Sequence, residues 1–237
     1  MKKVIGSLLM SGVLLGTVVA PMIANADTTT ENRSGETAVS ANFTASTSTV
    51  TPVDPTDPNK PSTDGDGNNG ATAGGGLSLI YAPKSLDFGS HEIDVLNDQH
   101  YAVDTASAST KLWDSNAVLE VSDVRGTNAG WRLTATGDVL TDGTNPAKGA
   151  TISLPTGNVT SSGTTANGAK AATTPTINLN GSTTGVEVLS AAKDSGAGVT
   201  VDQMAPAEIN LNIAANTVKA GTYSSKINWT LADLPAE

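Results

Sequence analysis

No cysteine occurs among the 237 residues. A disulfide framework, a zinc–thiolate centre and a thiol nucleophile are therefore excluded, and stability has to come from an ordinary buried core. Aromatic residues are scarce too, at 3% with only three tryptophans, so a tryptophan used twice in the same local pattern carries information. Basic residues are outnumbered, 13 Lys and Arg against 23 Asp and Glu, for a formal net charge of −10. Nucleic acids and anionic lipids are held mainly by clustered Lys and Arg, so neither is expected as a partner. Beyond the first 26 residues no apolar run is long enough to span a bilayer, and an integral membrane protein is not expected.

What is present begins with an export signal. Met1-Lys2-Lys3 precedes an uncharged, mostly apolar run from Val4 to Ala20, and Ala24-Asn25-Ala26 supplies small residues at the cleavage positions before the first acidic residue, Asp27. Residues 1–26 are expected to be a cleaved signal peptide, which places the mature chain outside the cell. Losing Lys2 and Lys3 makes the mature chain still more acidic. From Asp27 to Gly76 the chain is rich in Thr, Ser, Pro, Asp and Gly, with Thr51-Pro52-Val53-Asp54-Pro55-Thr56-Asp57-Pro58 at its centre. Few large apolar side chains stand there to offset the entropy of ordering, so 27–76 is expected to be a disordered linker that gives reach.

After Gly76 the apolar residues recur every second position. Leu77, Leu79 and Tyr81 are expected to share a face, as are Leu86 and Phe88, Tyr101 and Val103, and Leu119 and Val121. The same period links Trp131, Leu133 and Ala135, then Ile152 and Leu154, Ile177 and Leu179, Val186 and Val188, and Ile209, Leu211 and Ile213. It ends with Tyr223, Ser225, Ile227, Trp229 and Leu231. Short alternating segments separated by Gly, Asn, Asp, Ser and Thr point to an all-β fold, an antiparallel β-sandwich of immunoglobulin-like architecture over 77–237. The Thr-, Gly- and Ala-rich stretch from Thr141 to Pro175 is expected to form long loops or a hairpin extension at one end of it.

Two of the three tryptophans fall in one repeated tripeptide, Trp131-Arg132-Leu133 and Trp229-Thr230-Leu231. With Leu86-Asp87-Phe88-Gly89 near the start of the domain and Gly221-Thr222-Tyr223 leading into the second copy, the chain resembles the WxL family of bacterial surface proteins. The resemblance covers about 77–237. It implies non-covalent attachment to the wall of a Gram-positive bacterium through peptidoglycan, with Trp131, Leu133, Trp229 and Leu231 as the motif residues. It further implies, as possible partners, a membrane-anchored WxL-interacting protein and other WxL proteins. From the residues themselves the tryptophans have two readings. Alternation puts each beside its leucine on the side opposite Arg132, Asn228 and Thr230, as core residues would lie. Alternatively an exposed indole offers a flat platform for a sugar ring and an N–H donor.

Other candidates are weaker. Asp64-Gly65-Asp66-Gly67-Asn68 opens like a calcium loop, yet position six is Asn69 and position twelve is Gly75, so a solvated acidic segment is expected. His91 and His100 have no metal-site spacing and are expected at the surface or a strand edge. No metal or other cofactor is implied. Glu92/Asp94 and Asp202/Glu208 are the carboxylate pairs a hydrolase would draw on, the first two on one strand face, but the expectation is a protein without catalysis. The ending Leu234-Pro235-Ala236-Glu237 lacks the Thr-Gly, apolar span and basic tail of a sorting signal, which favours attachment without a covalent bond.

Overall fold

The computed structural model describes residues 34–62, 64 and 67–233. The expected signal peptide lies outside them. Residues 34–42 belong to a separate unit from Phe43–Glu237 and form neither strand nor helix, with every side chain exposed.

The larger unit is all-β. Its strands are β1 (Val53–Asp54), β2 (Asp57–Pro61), β3 (Leu77–Tyr81), β4 (Gln99–Ala102), β5 (Ala117–Asp123), β6 (Trp131–Gly137), β7 (Thr151–Ser153), β8 (Asn158–Ser161), β9 (Lys170–Ala171), β10 (Thr176–Asn178), β11 (Val186–Ala191), β12 (Gly198–Met204), β13 (Asn210–Ile213) and β14 (Ile227–Asp233). One 3-10 turn, Pro206–Glu208, lies between β12 and β13. Every pairing is antiparallel. Three four-stranded sheets run β3-β5-β12-β8, β14-β6-β11-β9 and β10-β7-β13-β4, and β1 and β2 form a hairpin.

All three sheets face one core. Leu119 and Val121 of β5, Met204 of β12, Trp131, Leu133 and Ala135 of β6, Leu189 of β11, Ile152 of β7 and Ile177 of β10 meet in a single cluster. Each large side chain fully removed from water contributes about 1.5–3 kcal/mol, which makes this cluster the main source of stability in a chain without cysteine. The β5/β12 sheet is also buried on its far side. There Ile80, Tyr81, Val118, Val199 and Val201 pack with Trp113 and with Val53 from the hairpin.

Several expectations change here. Within the stretch read as a linker, Val53–Pro61 is a hairpin docked on the β5/β12 sheet, with Val53 buried and its N–H donated to Glu120 Oε2 at 3.1 Å. Downstream of it, Asn68–Gly70 pairs with Ala82–Lys84, just beyond β3, and the Asn69 side chain donates to Ile80 O. Leu77, Leu79 and Tyr81 do not share a face. A register shift between Leu79 and Tyr81 sends Tyr81 to the far cluster with Ile80, while Leu79 packs on the main core. Leu86-Asp87-Phe88-Gly89 lies outside the strands and forms an anchored turn, in which the Asp87 carboxylate accepts bonds from Ser107 Oγ and Gly89 N–H. The Thr141–Pro175 stretch is no extension of one end, because β7, β8 and β9 each join a different sheet.

Candidate functional site

The two Trp-x-Leu motifs sit side by side. β6 and β14 pair so that Leu133 faces Leu231 directly, Trp131 faces Asp233, and Trp229 faces Ala135. Residues opposite each other in an antiparallel pair project to the same side, so all four motif residues share the core-directed face of one sheet. The two indoles stand four residues apart along the pair, about 13 Å.

Their environments differ. Trp131 is 0% exposed, and its indole N–H donates to Gly196 O at 3.1 Å. Two glycines make that burial possible. Gly130 has φ +79° and its Cα abuts the carbonyl of Ala191, so a side chain there would strike backbone. At Gly196, with φ +81°, a Cβ would overlap the Trp131 indole and Ala191. Leu133 is likewise 0% exposed. The first motif is therefore core, closed to any ligand.

The second motif lies on a strand at the edge of its sheet. Ile227, Trp229 and Leu231 are half-buried, packed against the core from its rim, and Asn228 and Thr230 are exposed. Opposite Trp229 and Ile227 stand Ala135 and Gly137, small residues that put no bulky neighbour across from either side chain. Beside them opens a groove of about 370 Å³ lined by Gly70, Ala71, Thr72, Leu79, Ile227, Asn228 and Trp229. No charged side chain lines it. Both ends of the strand are tied down. Lys226 O accepts the Asp138 N–H and Asn228 Nδ2 donates to Asp138 Oδ1 at one end. At the other, Arg125 binds Asp123 through two nitrogens at 2.8 Å each and also pairs with Asp233, bridging β5 to β14.

Other candidate residues have structural settings. Glu92 and Asp94 lie in the loop before β4, and not on a strand. Asp94 caps that loop, and bonds donated by the Asn97 side-chain amide and by the backbone N–H groups of Leu96 and Asn97 hold its carboxyl below the usual carboxylate range. Asp202 is 1% exposed inside the sheet whereas Glu208 is exposed on the 3-10 turn, so these two do not face a common solvent cleft. His91 is exposed and stacked on Tyr101, and His100 lies on edge strand β4 beside Asn212. The aspartates read as a calcium-loop start fall partly outside the described residues, and Asp64 accepts a bond from the Tyr81 hydroxyl at 2.7 Å. Among the described residues no three acidic or histidine side chains converge as a cation site, and no helix is long and apolar enough to cross a membrane.

Two buried carboxylates are Glu120, which the sequence did not mark, and Asp202, which it offered only as half of a hydrolase pair with Glu208. Glu120 (0% exposed) sits beneath the hairpin; burial pushes its carboxyl up to about 8, the Val53 N–H partly opposing and Asp54 adding to the rise. Asp202, on the opposite face of the same sheet and packed against the Gly157 backbone, is raised by burial to about 7.

The family described as WxL domain surface cell wall-binding matches residues 30–235. No curated protein and no solved structure matches the chain. The chain belongs to the WxL domain surface cell wall-binding family, and its place is the cell surface, associated with the wall. The match takes in most of the segment read as a linker, in keeping with the hairpin docked there.

Proposed function

We propose that the protein attaches without a covalent bond and without catalysis to peptidoglycan, and that Trp229 is the motif residue that meets it. The observation that carries this reading is the asymmetry of the pair: Trp131 is sealed with its N–H satisfied, while Trp229 lines an open, uncharged groove with Leu79 and Ile227. A partly exposed indole beside polar backbone suits the apolar face of a sugar or the side of a stem peptide. Leu133 and Leu231 position it. Wall polyanions are repelled by a chain of net charge −10, so recognition has to be local.

Replacing Trp229 with Ala is expected to weaken co-sedimentation with teichoic-acid-stripped sacculi by about tenfold or more, the loss typical of a central aromatic anchor. Unaltered sedimentation of folded W229A would move the site elsewhere. Lowering pH from neutral towards carboxylate titration should strengthen association by removing repulsion. Retention on purified wall that is flat or weaker as pH falls would contradict that electrostatic part.

A second reading is favoured by a separate observation. β14 is an edge strand, and no backbone partner lies on its outer side among the described residues. Such an edge suits an assembly subunit that joins a partner's strand, with a membrane-anchored WxL-interacting protein and other WxL proteins as the candidate partners.

A further inference from the structure

Six large apolar residues are exposed among those described, and the two most exposed are Val39 and Phe43, at 91% and 90%. They lie in the run Thr37-Ala38-Val39-Ser40-Ala41-Asn42-Phe43-Thr44-Ala45-Ser46, in which Val39, Ala41, Phe43 and Ala45 alternate with Ser40, Asn42, Thr44 and Ser46. The run has no charge, no proline and no glycine. That is the pattern of a half-buried strand, yet none of these residues lies in a strand and all but Ser46 are exposed.

β14 presents the complementary deficiency. Its seven residues offer about 23 Å of edge, and alternate N–H and C=O groups along it point away from β6. It has no proline, no lysine and no bulge within Ile227–Asp233, and its one charged side chain, Asp233, stands at the end of the strand paired with Arg125. Ile227 and Trp229 line the uncharged groove beside it.

We propose that Thr37–Ser46 of one copy adds as a strand to the outer edge of β14 in a second copy, with Phe43 and Val39 entering the uncharged groove beside Trp229. Main-chain hydrogen bonds give such an addition its affinity, and pockets for alternate side chains give it specificity. The donor and the acceptor are different surfaces of one chain, so the contact is heterologous. It closes as a reciprocal pair or continues as a row of copies. A copy whose groove is filled has Trp229 covered, and wall attachment then falls to copies whose grooves are open. The proposal depends on the arm and the strand edge, and stands whatever the wall ligand is.

Sedimentation velocity on the chain from Asp27 onward, over a wide concentration range, should show mass rising with concentration. The full-length double variant Val39→Ser/Phe43→Ser should associate at least about tenfold more weakly, since it loses two apolar side chains from the contact. Both residues are solvent-exposed within a copy, so the variant should fold as the parent does. A synthetic peptide spanning Thr37–Ser46, added to that variant, should shift Trp229 emission and slow amide exchange along β14. A parent chain that stays monomeric throughout would overturn the proposal, including a monomer whose β14 amides are already protected, which would mean that the arm fills its own groove. A variant that associates as strongly as the parent, or a peptide that leaves β14 exchange unchanged, would overturn it as well.

Discussion

Trp131→Ala should cost the fold about 3–5 kcal/mol, the range for removing a large aromatic from a closed core. Three effects combine. The indole is fully enclosed among Leu133, Leu189 and Ala191, its loss leaves a void that sheet backbone cannot readily fill, and the Gly196 carbonyl loses its donor. Trp229→Ala removes a ring that is only partly buried, and should cost about 1–2 kcal/mol. Urea unfolding of the two variants checks this, with the midpoint moving and the slope kept. Equal losses would contradict the division of labour between the motifs.

The second large effect is a fall in stability as pH rises. Glu120 and Asp202 have folded-state values near 8 and 7, above those of carboxyls in an unfolded chain. Between the unfolded and folded values the native state holds protons that the unfolded state has released, so unfolding is favoured as pH climbs. Their contribution is fully present below about pH 4, is lost through the window up to about 7 for Asp202 and 8 for Glu120, and is gone above it. Each group contributes at most about 1.4 kcal/mol per pH unit within its window. Unfolding measured across that range should show the decline, and Glu120→Gln with Asp202→Asn should flatten it. A decline that persists in the double variant would assign the effect to other groups. Glu120 lies under the β1–β2 hairpin and accepts the Val53 N–H, so the hairpin is the first element expected to loosen at alkaline pH.

Much of this fold was legible in the sequence because strands half in water show their alternation. β6 and β14 are read directly from Trp131, Leu133 and Ala135 and from Ile227, Trp229 and Leu231. β12 was not, although it is a central strand. Val199 and Val201 do alternate with Thr200 and Asp202, but both faces are buried, so the alternation reports no solvent face, and a buried carboxylate such as Asp202 reads as surface or loop. The short strands β8 and β9 hide for a different reason: Thr, Ser, Asn and Ala serve as well in edge pairing as in loops. The Val53–Pro61 hairpin carries one large apolar anchor, too little for periodicity to detect, and its burial depends on Glu120 and Tyr81, distant in sequence.

At the candidate site the sequence supplied the residues but not their pairing. Alternation put each Trp beside its Leu, and could not say that Leu133 and Leu231 would be cross-strand partners or that one indole would be sealed and the other left at a rim. That difference comes from the position of the strands. β6 has neighbours on both sides, whereas β14 has one. The remainder of the groove, Gly70 to Thr72, comes from a segment whose composition reads as spacer, and it is fixed there by backbone pairing with Ala82–Lys84 and by the Asn69 side chain, bonded to Ile80 O and to the Ala71 and Ala82 N–H groups.

The most direct check is acrylamide quenching of single tryptophans, with Trp113 and then either Trp131 or Trp229 changed to Phe, in free protein and on stripped sacculi. Trp229 should be quenched in solution and shielded on the wall, while Trp131 stays unquenched in both states. An unshielded Trp229 on wall-bound protein, or a Trp131 that quenches freely, would contradict the assignment of the second motif to the surface and the first to the core.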